Sequence, residues 1–190
     1  MILIMQPPEL NEIIQKAQQL RFTMNCDIET GQLLRTLASS KRAGTFLELG
    51  TGAGASITWI LEGMDSQSRL VSVEMDDSIQ SIARSIIKDE RVEFVTEDGS
   101  IFIEQNKGKK FDLIFADTWP GKFYHLEEAL EMVAEGGFYI IDDLNPVDSW
   151  SLGHGDKVQS LRMKMRGLHD FRIVELNWST GLIVATRRTK

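Results

Sequence analysis

The stretch FLELGTGAGAS at residues 46–56 places Gly50, Gly52 and Gly54 at alternate positions where an apolar run stops, directly behind Glu48. Glycines at the carboxyl end of a strand allow positive φ and remove every Cβ, so a ligand can lie against the main chain while helix-terminal N–H groups face it. A tight structural turn uses the same residues, and the glycines alone do not separate the two readings. Spacing narrows the ligand: a dinucleotide site wants GxGxxG, whereas this loop reads GxGxG and loses its third glycine in register. Glu74 closes the next apolar run, about 20 residues beyond the loop, where a carboxylate can accept both hydrogens of a ribose diol. The competing account of Glu74 is an exposed strand-end carboxylate. Asp98 and Gly99 follow a third run in TEDGS. Asp98 there either accepts an adenine amino hydrogen, with Gly99 letting the ring approach, or caps a helix.

These residues have to be positioned by elements, and the chain shows them. From Thr45 onward, short β-branched or aromatic runs (TFLEL, LVSVE, VEFV, FDLIFA, FYIID) alternate with longer amphipathic ones (SITWILEGM, SIQSIARSIIKD, SIFIEQN, FYHLEEALEMVA). A buried strand followed by a helix-length crossover demands parallel pairing, so this rhythm predicts a Rossmann-like open α/β sheet with helices on both faces. After a helix through HGDKVQSLRMKMRGL, the runs FRIVEL and GLIVATR are separated only by NWST, too short for a crossover. The sheet is therefore expected to have seven strands, mostly parallel with an antiparallel last strand. Before Thr45, ELNEIIQKAQQLRF and IETGQLLRTLASSKR read as two helices, with Asp27 as N-cap of the second. Residues 1–44 are expected to pack on a core formed by 45–190, the whole making one domain. Ligands of such sheets bind beyond the carboxyl ends of the strands, near the point where strand order reverses.

Composition excludes several classes. The 190 residues carry 21 Lys and Arg against 28 Asp and Glu, a net charge of -7 that disfavours nucleic acid as partner. Cys26 is the single cysteine, so there is no internal disulfide and a reducing cytoplasm fits best. The opening MILIM ends at Pro7-Pro8, and no apolar run approaches the roughly 18 residues of a membrane span.

In order along the chain, LELGTGAGAS, VSVEMD, EDGS, FDLIFADTWPGKF and GGFYIIDDL resemble the motif set of class I S-adenosylmethionine-dependent methyltransferases, and within them the catechol and caffeoyl-CoA O-methyltransferase group. The resemblance runs from about Glu29 to Leu144 and includes ETGQLL upstream. It implies that Glu48, Gly50, Gly52 and Gly54 border the methionine part of the cofactor, with Ser56 near its carboxylate. Glu74 would hold the ribose hydroxyls, and Asp98, Gly99 and Ser100 would border the adenine. Asp117 and Trp119 would complete the cofactor side, Trp119 beside the adenine.

In the family resembled, a divalent cation held by two Asp and an Asn acidifies the acceptor hydroxyl, and a lysine shortly after the first Asp acts as base. Asp117 and Asp142 match the two Asp, while Asp143 stands where the Asn belongs; three carboxylates suit Mg2+ or Mn2+. Pro120 occupies the place of the lysine. Lys122 comes two residues later and either reaches over from a rearranged loop or begins the next helix. His154, expected on a Gly-flanked loop after the fifth strand, is the best-placed general base among three histidines, a solvated loop histidine being the alternative. Trp150 and Trp178 either wall an aromatic acceptor or pack in the interior. The activity implied is O-methylation of a small-molecule hydroxyl. A metal-independent methyltransferase of another small acceptor and a catalytically silent nucleoside- or dinucleotide-binding module remain as alternatives. Family analogy also implies a homodimer through the N-terminal helices.

Overall fold

Alternation within each apolar run decides which side of the sheet each residue faces. The computed structural model describes residues 5–147 and 151–189. Two helices, α1 (Leu10–Gln19) and α2 (Ile28–Ser39), come first, and the sheet begins with β1 (Thr45–Leu49). There follow α3 (Ala55–Gly63), β2 (Arg69–Glu74), α4 (Asp77–Ile86), β3 (Val92–Thr96), α5 (Gly99–Gln105) and β4 (Phe111–Ala116). The chain ends with α6 (Leu126–Glu131), β5 (Val133–Ile141), α7 (His154–Arg166), β6 (Phe171–Leu176) and β7 (Leu182–Arg187). The seven strands lie in the order β3-β2-β1-β4-β5-β7-β6, with β7 antiparallel to both of its neighbours. The sheet predicted from the sequence is the one observed.

Successive residues supply opposite cores. Phe46, Leu113 and Phe115 pack with Leu10, Ile13, Leu34, Trp59 and Ile60 under α1–α4, whereas Leu47, Ile114 and Ala116 pack with Ile103, Leu130, Leu161 and Met165 under α5–α7. The two N-terminal helices therefore share a core with the sheet rather than standing apart from it. Gly31 of α2 is what lets α3 approach, since a Cβ there would lie 2.3 Å from Trp59 Nε1. No described helix is long and apolar enough to cross a membrane.

One element is shorter than the sequence implies. The amphipathic run FYHLEEALEMVA predicts a helix from Phe123 to Ala134, but α6 covers only Leu126–Glu131. His125 sits at φ 52, outside the right-handed helical region, and Val133 pairs with Phe111 as the first residue of β5. Pairing with the central strand β4 outweighs the local helical preference.

Strand order reverses between β1 and β4, which are direct neighbours although two strands separate them in sequence. The crevice at their carboxyl ends receives the glycine loop after β1 and residues 117–125 after β4. This is where an open parallel sheet binds ligands.

Candidate active site

The glycine loop is shaped by contacts that leave no space for side chains. Gly50 has φ 101, donates its N–H to Val73 O at 2.9 Å, and would place a Cβ 2.7 Å from the carbonyl oxygen of Asp117. Gly54, also at φ 101, occupies the N-cap position of α3 and would place a Cβ 2.6 Å from that of Ala83 in α4. Two of the three glycines thus serve the turn itself, while Gly52 presents its N–H to Glu74 Oε2 at 3.0 Å. Contacts from β2, the loop after β4 and α4 thus fix the conformation of the segment.

Glu48 and Ser56 lie beneath this loop rather than on its open side. Glu48 is fully buried and accepts the hydroxyls of Ser56 and Ser72. Ser72 Oγ lies 2.6 Å from Thr51 Oγ1, which in turn accepts from Gln80 Nε2 at 3.1 Å. Gln80 is also buried and takes Thr96 Oγ1 at 2.6 Å on its own oxygen, so one polar chain links the ends of β1, β2 and β3. Burial pushes the Glu48 carboxyl up to about 7 against the pull of its two serines, and the charge of Glu74 adds to the rise. Glu48 and Ser56 are thus hydrogen-bonded to each other and support the backbone of the loop.

Glu74 is half-buried at the end of β2. One carboxylate oxygen accepts from Gly52 N and the other from Asp76 N, each at 3.0 Å. Two carboxylate oxygens offer about four acceptor sites, so roughly two remain for a vicinal diol. Asp98 takes its helix-cap role, accepting from Ser100 N at 2.7 Å, and stays half-buried. Gly99 lies against the proline of the next loop, a Cβ there falling 3.0 Å from Pro120 Cβ. Trp119 is 40% exposed, with its ring edge-on to Phe123 and tilted against Tyr124 and His154 at centroid distances of 5.8, 5.8 and 6.1 Å.

The residues expected on the acceptor side differ most from expectation. Lys122 neither begins a helix nor points to solvent: it is 5% exposed, inside the loop before α6. Gly121, at φ 81, turns the chain there, and its carbonyl accepts the buried Tyr139 hydroxyl. The Lys122 charge opposes the rise in pKa of both Asp117 and Asp142, so the three groups share one electrostatic neighbourhood. Burial and the Asp142 charge hold Asp117 well above the ordinary carboxylate range. Burial likewise pushes Asp142 up to about 6, although the Thr180 hydroxyl and Asp143 N–H, the latter at 2.7 Å, stabilise its anion.

The carboxylate trio is not assembled as a cation cradle. Among the described residues, Asp117, Asp142 and Asp143 do not all three bring an oxygen within 4.8 Å of one another. Asp143 is exposed with φ 59, and Asp142 is held by Thr180. The residues therefore do not fit a preformed Mg2+ or Mn2+ site, which needs several oxygens converging at about 2.0–2.6 Å from one ion.

His154 is the first residue of α7 rather than part of a loop. Its ring lies edge-on to Phe123 at 5.3 Å as well as beside Trp119, and Lys157 Nζ stands 4.1 Å from the Trp119 ring. Burial and the charges of Lys122 and Lys157 lower its pKa, with Asp143 opposing. Trp178 is 41% exposed in the β6–β7 turn, and Trp150 lies outside the described residues.

Several participants carried no signal in the sequence. The segment before α2 crosses the glycine loop, with the Phe22 ring 3.1 Å from a Cβ built on Gly52. Cys26 follows, its thiol pushed up by burial and by Asp142, Asp117 and Asp27. Asp27 caps α2 as expected, accepting from Thr30 N at 2.9 Å, and its other oxygen accepts from Ser179 across the sheet edge. Thr180 and Ser179 are residues of a hairpin turn, and only the tertiary fold brings them to Asp142 and Asp27.

A family model described as "Methyltransferase domain" matches residues 47–144. Among curated proteins, a putative O-methyltransferase of Mycolicibacterium vanbaalenii is 26% identical over 117 residues, covering 58% of this chain and 52% of that protein. A catechol O-methyltransferase of Mycobacterium tuberculosis is 26% identical over 121 residues, 61% of this chain and 55% of the relative. The chain spans about half the length of the curated relatives it matches. Among solved structures, the O-methyltransferase of Bacillus cereus in complex with SAH superposes with a TM-score of 0.83 at 24% identity, covering 98% and 94% of the two chains. TomG, an O-methyltransferase of Streptomyces achromogenes in complex with SAM, gives 0.83 at 20% identity, covering 99% and 93%. At these identities the structural likeness shows the fold.

Proposed function

The chain belongs to the methyltransferase-domain family, and from that premise we propose that it is an S-adenosylmethionine-dependent O-methyltransferase acting on a hydroxyl of a small molecule. The observation that carries the reading is the junction of Gly52 N with Glu74 Oε2 at 3.0 Å. It brings an N–H-rich loop and a carboxylate with acceptor sites to spare to the same point of the sheet's switch crevice. Gly99 beside Pro120, and Trp119 beyond them, offer a flat, partly apolar surface for a purine. The names of the relatives, which are O-methyltransferases, support the choice of acceptor atom.

Bound S-adenosylmethionine supplies an electrophilic methyl group carried on a sulfonium. The protein has to align the acceptor oxygen with that methyl, exclude water and remove the acceptor's proton. His154, kept neutral near pH 7 by burial and by Lys122 and Lys157, takes the proton. The Lys122 ammonium stabilises the negative charge developing on the oxygen, in the absence of water to screen it. Asp117 and Asp142 share an electrostatic neighbourhood with the lysine, each feeling its charge. With the cofactor bound, its methyl group would pass to the acceptor oxygen and the thioether would leave neutral, the acceptor proton residing on His154.

The test is a calorimetric titration of EDTA-treated protein with S-adenosylhomocysteine, followed by transfer of labelled methyl to a panel of phenols and alcohols. One-site saturable binding and methyl ether formation are the expected results. An absence of heat together with an unchanged melting temperature would overturn the reading.

A further inference from the structure

We propose that Glu104, His125 and Glu128 form a binding site for a borderline divalent ion of the Zn2+ type, outside the crevice described above. Among the described residues they are the one set of three acidic, histidine or cysteine side chains whose ligand atoms all lie within 4.8 Å of one another. His125 Nδ1 is 3.2 Å from Glu104 Oε1 and 3.9 Å from Glu128 Oε1. Around a tetrahedral ion with bonds of about 2.0–2.2 Å, neighbouring ligand atoms stand roughly 3.4 Å apart. The observed spacings bracket that value.

Lys107 and the first turn of α6 offset part of the charge on the two glutamates, and the imidazole faces both. Nδ1 of an imidazole carries a single hydrogen and can satisfy one carboxylate, yet two converge on it. Lys107 binds Glu104 at 2.7 Å but does so through Oε2, leaving Oε1 directed to His125. This is the outer-shell pattern in which the second oxygen of a ligating carboxylate is held by another donor. One nitrogen with two carboxylate oxygens selects Zn2+, Co2+ or Ni2+ over the hard Mg2+. All three side chains are only partly exposed, at 32%, 45% and 35% for His125, Glu104 and Glu128, so the ion would have an open position for water.

The place in the fold gives the site a consequence. Glu104 is near the end of α5, the helix that Asp98 caps, and His125 ends the loop that carries Trp119 and Lys122. An ion at the three side chains would tie the outer ends of α5 and α6 together and hold that loop in one conformation. The inference does not depend on the methyl-transfer reading, since it concerns a separate ligand set.

The experiment is calorimetric titration of EDTA-stripped protein with ZnCl2 and, separately, MgCl2, with thermal unfolding alongside. Wild type is expected to bind one Zn2+, to gain melting temperature with it, and to ignore Mg2+. Since outer-shell partners alone are worth about 10–100-fold in affinity, His125→Asn and Glu104→Gln are each expected to weaken Zn2+ binding by at least about 100-fold. Asparagine tolerates positive φ, so His125→Asn preserves the backbone at φ 52. Asp142→Asn is expected to leave Zn2+ binding unchanged. The proposal is overturned if wild type binds no Zn2+ at about 1 mM, a concentration at which even weak sites fill, or if His125→Asn binds as wild type does. Loss of binding in Asp142→Asn alone would also overturn it, placing the ion in the crevice.

Discussion

Substituting Glu48 by glutamine should change the pH dependence of stability in a calculable way. The carboxyl has no exposed surface, and burial pushes it up to about 7 from an ordinary glutamate value of 4.5. At 1.36 kcal/mol per pH unit, that difference amounts to about 3 kcal/mol. Because the folded value lies above the unfolded one, the contribution is full below about pH 4.5, where both states hold the proton. It is lost as pH rises toward 7, since the unfolded chain releases the proton while the folded chain must keep it or bury a charge. Glu48→Gln carries no such proton. Urea unfolding of both proteins between pH 4.5 and 8.5 should show nearly equal stabilities at the acid end. At the alkaline end the variant should be the more stable by about 3 kcal/mol relative to that starting difference. With a urea slope of about 2 kcal/mol/M, the midpoints would separate by roughly 1.5 M. Asp142 titrates in both proteins and cancels in the comparison, while Asp117 feels the Glu48 charge only as the last of its several influences. A stability difference that does not change with pH would refute the argument that an ionisable, buried Glu48 supports the loop.

Glu74→Gln keeps the size of the side chain but weakens its charge-assisted bonds, so S-adenosylhomocysteine affinity should fall about 10–100-fold; because the amide NH2 then faces Gly52 N or Asp76 N, stability should fall by about 1 kcal/mol as well. An unchanged Kd would remove the ribose assignment. Gly54→Ala must place a Cβ 2.6 Å from that of Ala83 at φ 101; calorimetric unfolding should show a loss of about 1–3 kcal/mol, and an unaltered melting temperature would contradict the packing of α3 on α4. His154→Ala should lower kcat about 10²–10⁴-fold with cofactor affinity retained. Because burial and two lysines lower the His154 pKa, the wild-type rate should fall only below pH 6.5, as the imidazole gains its proton; an acid limb centred above 6.5 would exclude it as the base.

Much of the fold was legible because its signals are local. Phe46, Leu47, Glu48 and Leu49 alternate between the two sheet faces as any strand must, and the crossover helices follow from the lengths between apolar runs. The glycine loop and Glu74 were legible for the same reason: each follows the end of a strand. The direction in which Glu48 and Ser56 point was not. Alternation puts Glu48 on the same face as Phe46, but whether that face meets ligand or protein depends on Ser72 in the neighbouring strand. The end of α6 was misread because Val133 has a strand partner, Phe111, that no local pattern announces.

The amino-acid order alone therefore determined the βα rhythm, the antiparallel hairpin at the end of the chain and the place of Glu74 at the end of β2, all of which arise from periodicity and short-range spacing. Only the tertiary structure decided the surroundings of Lys122, Asp142 and Asp27. Lys122 became a buried charge because Gly121 turns the loop back onto Leu49 and Tyr139. Thr180 reached Asp142, and Ser179 reached Asp27 from 152 residues away, because β7 is inserted between β5 and β6. Such contacts arise from the packing of whole elements, and a side chain's charge and partners are set by what that packing brings beside it.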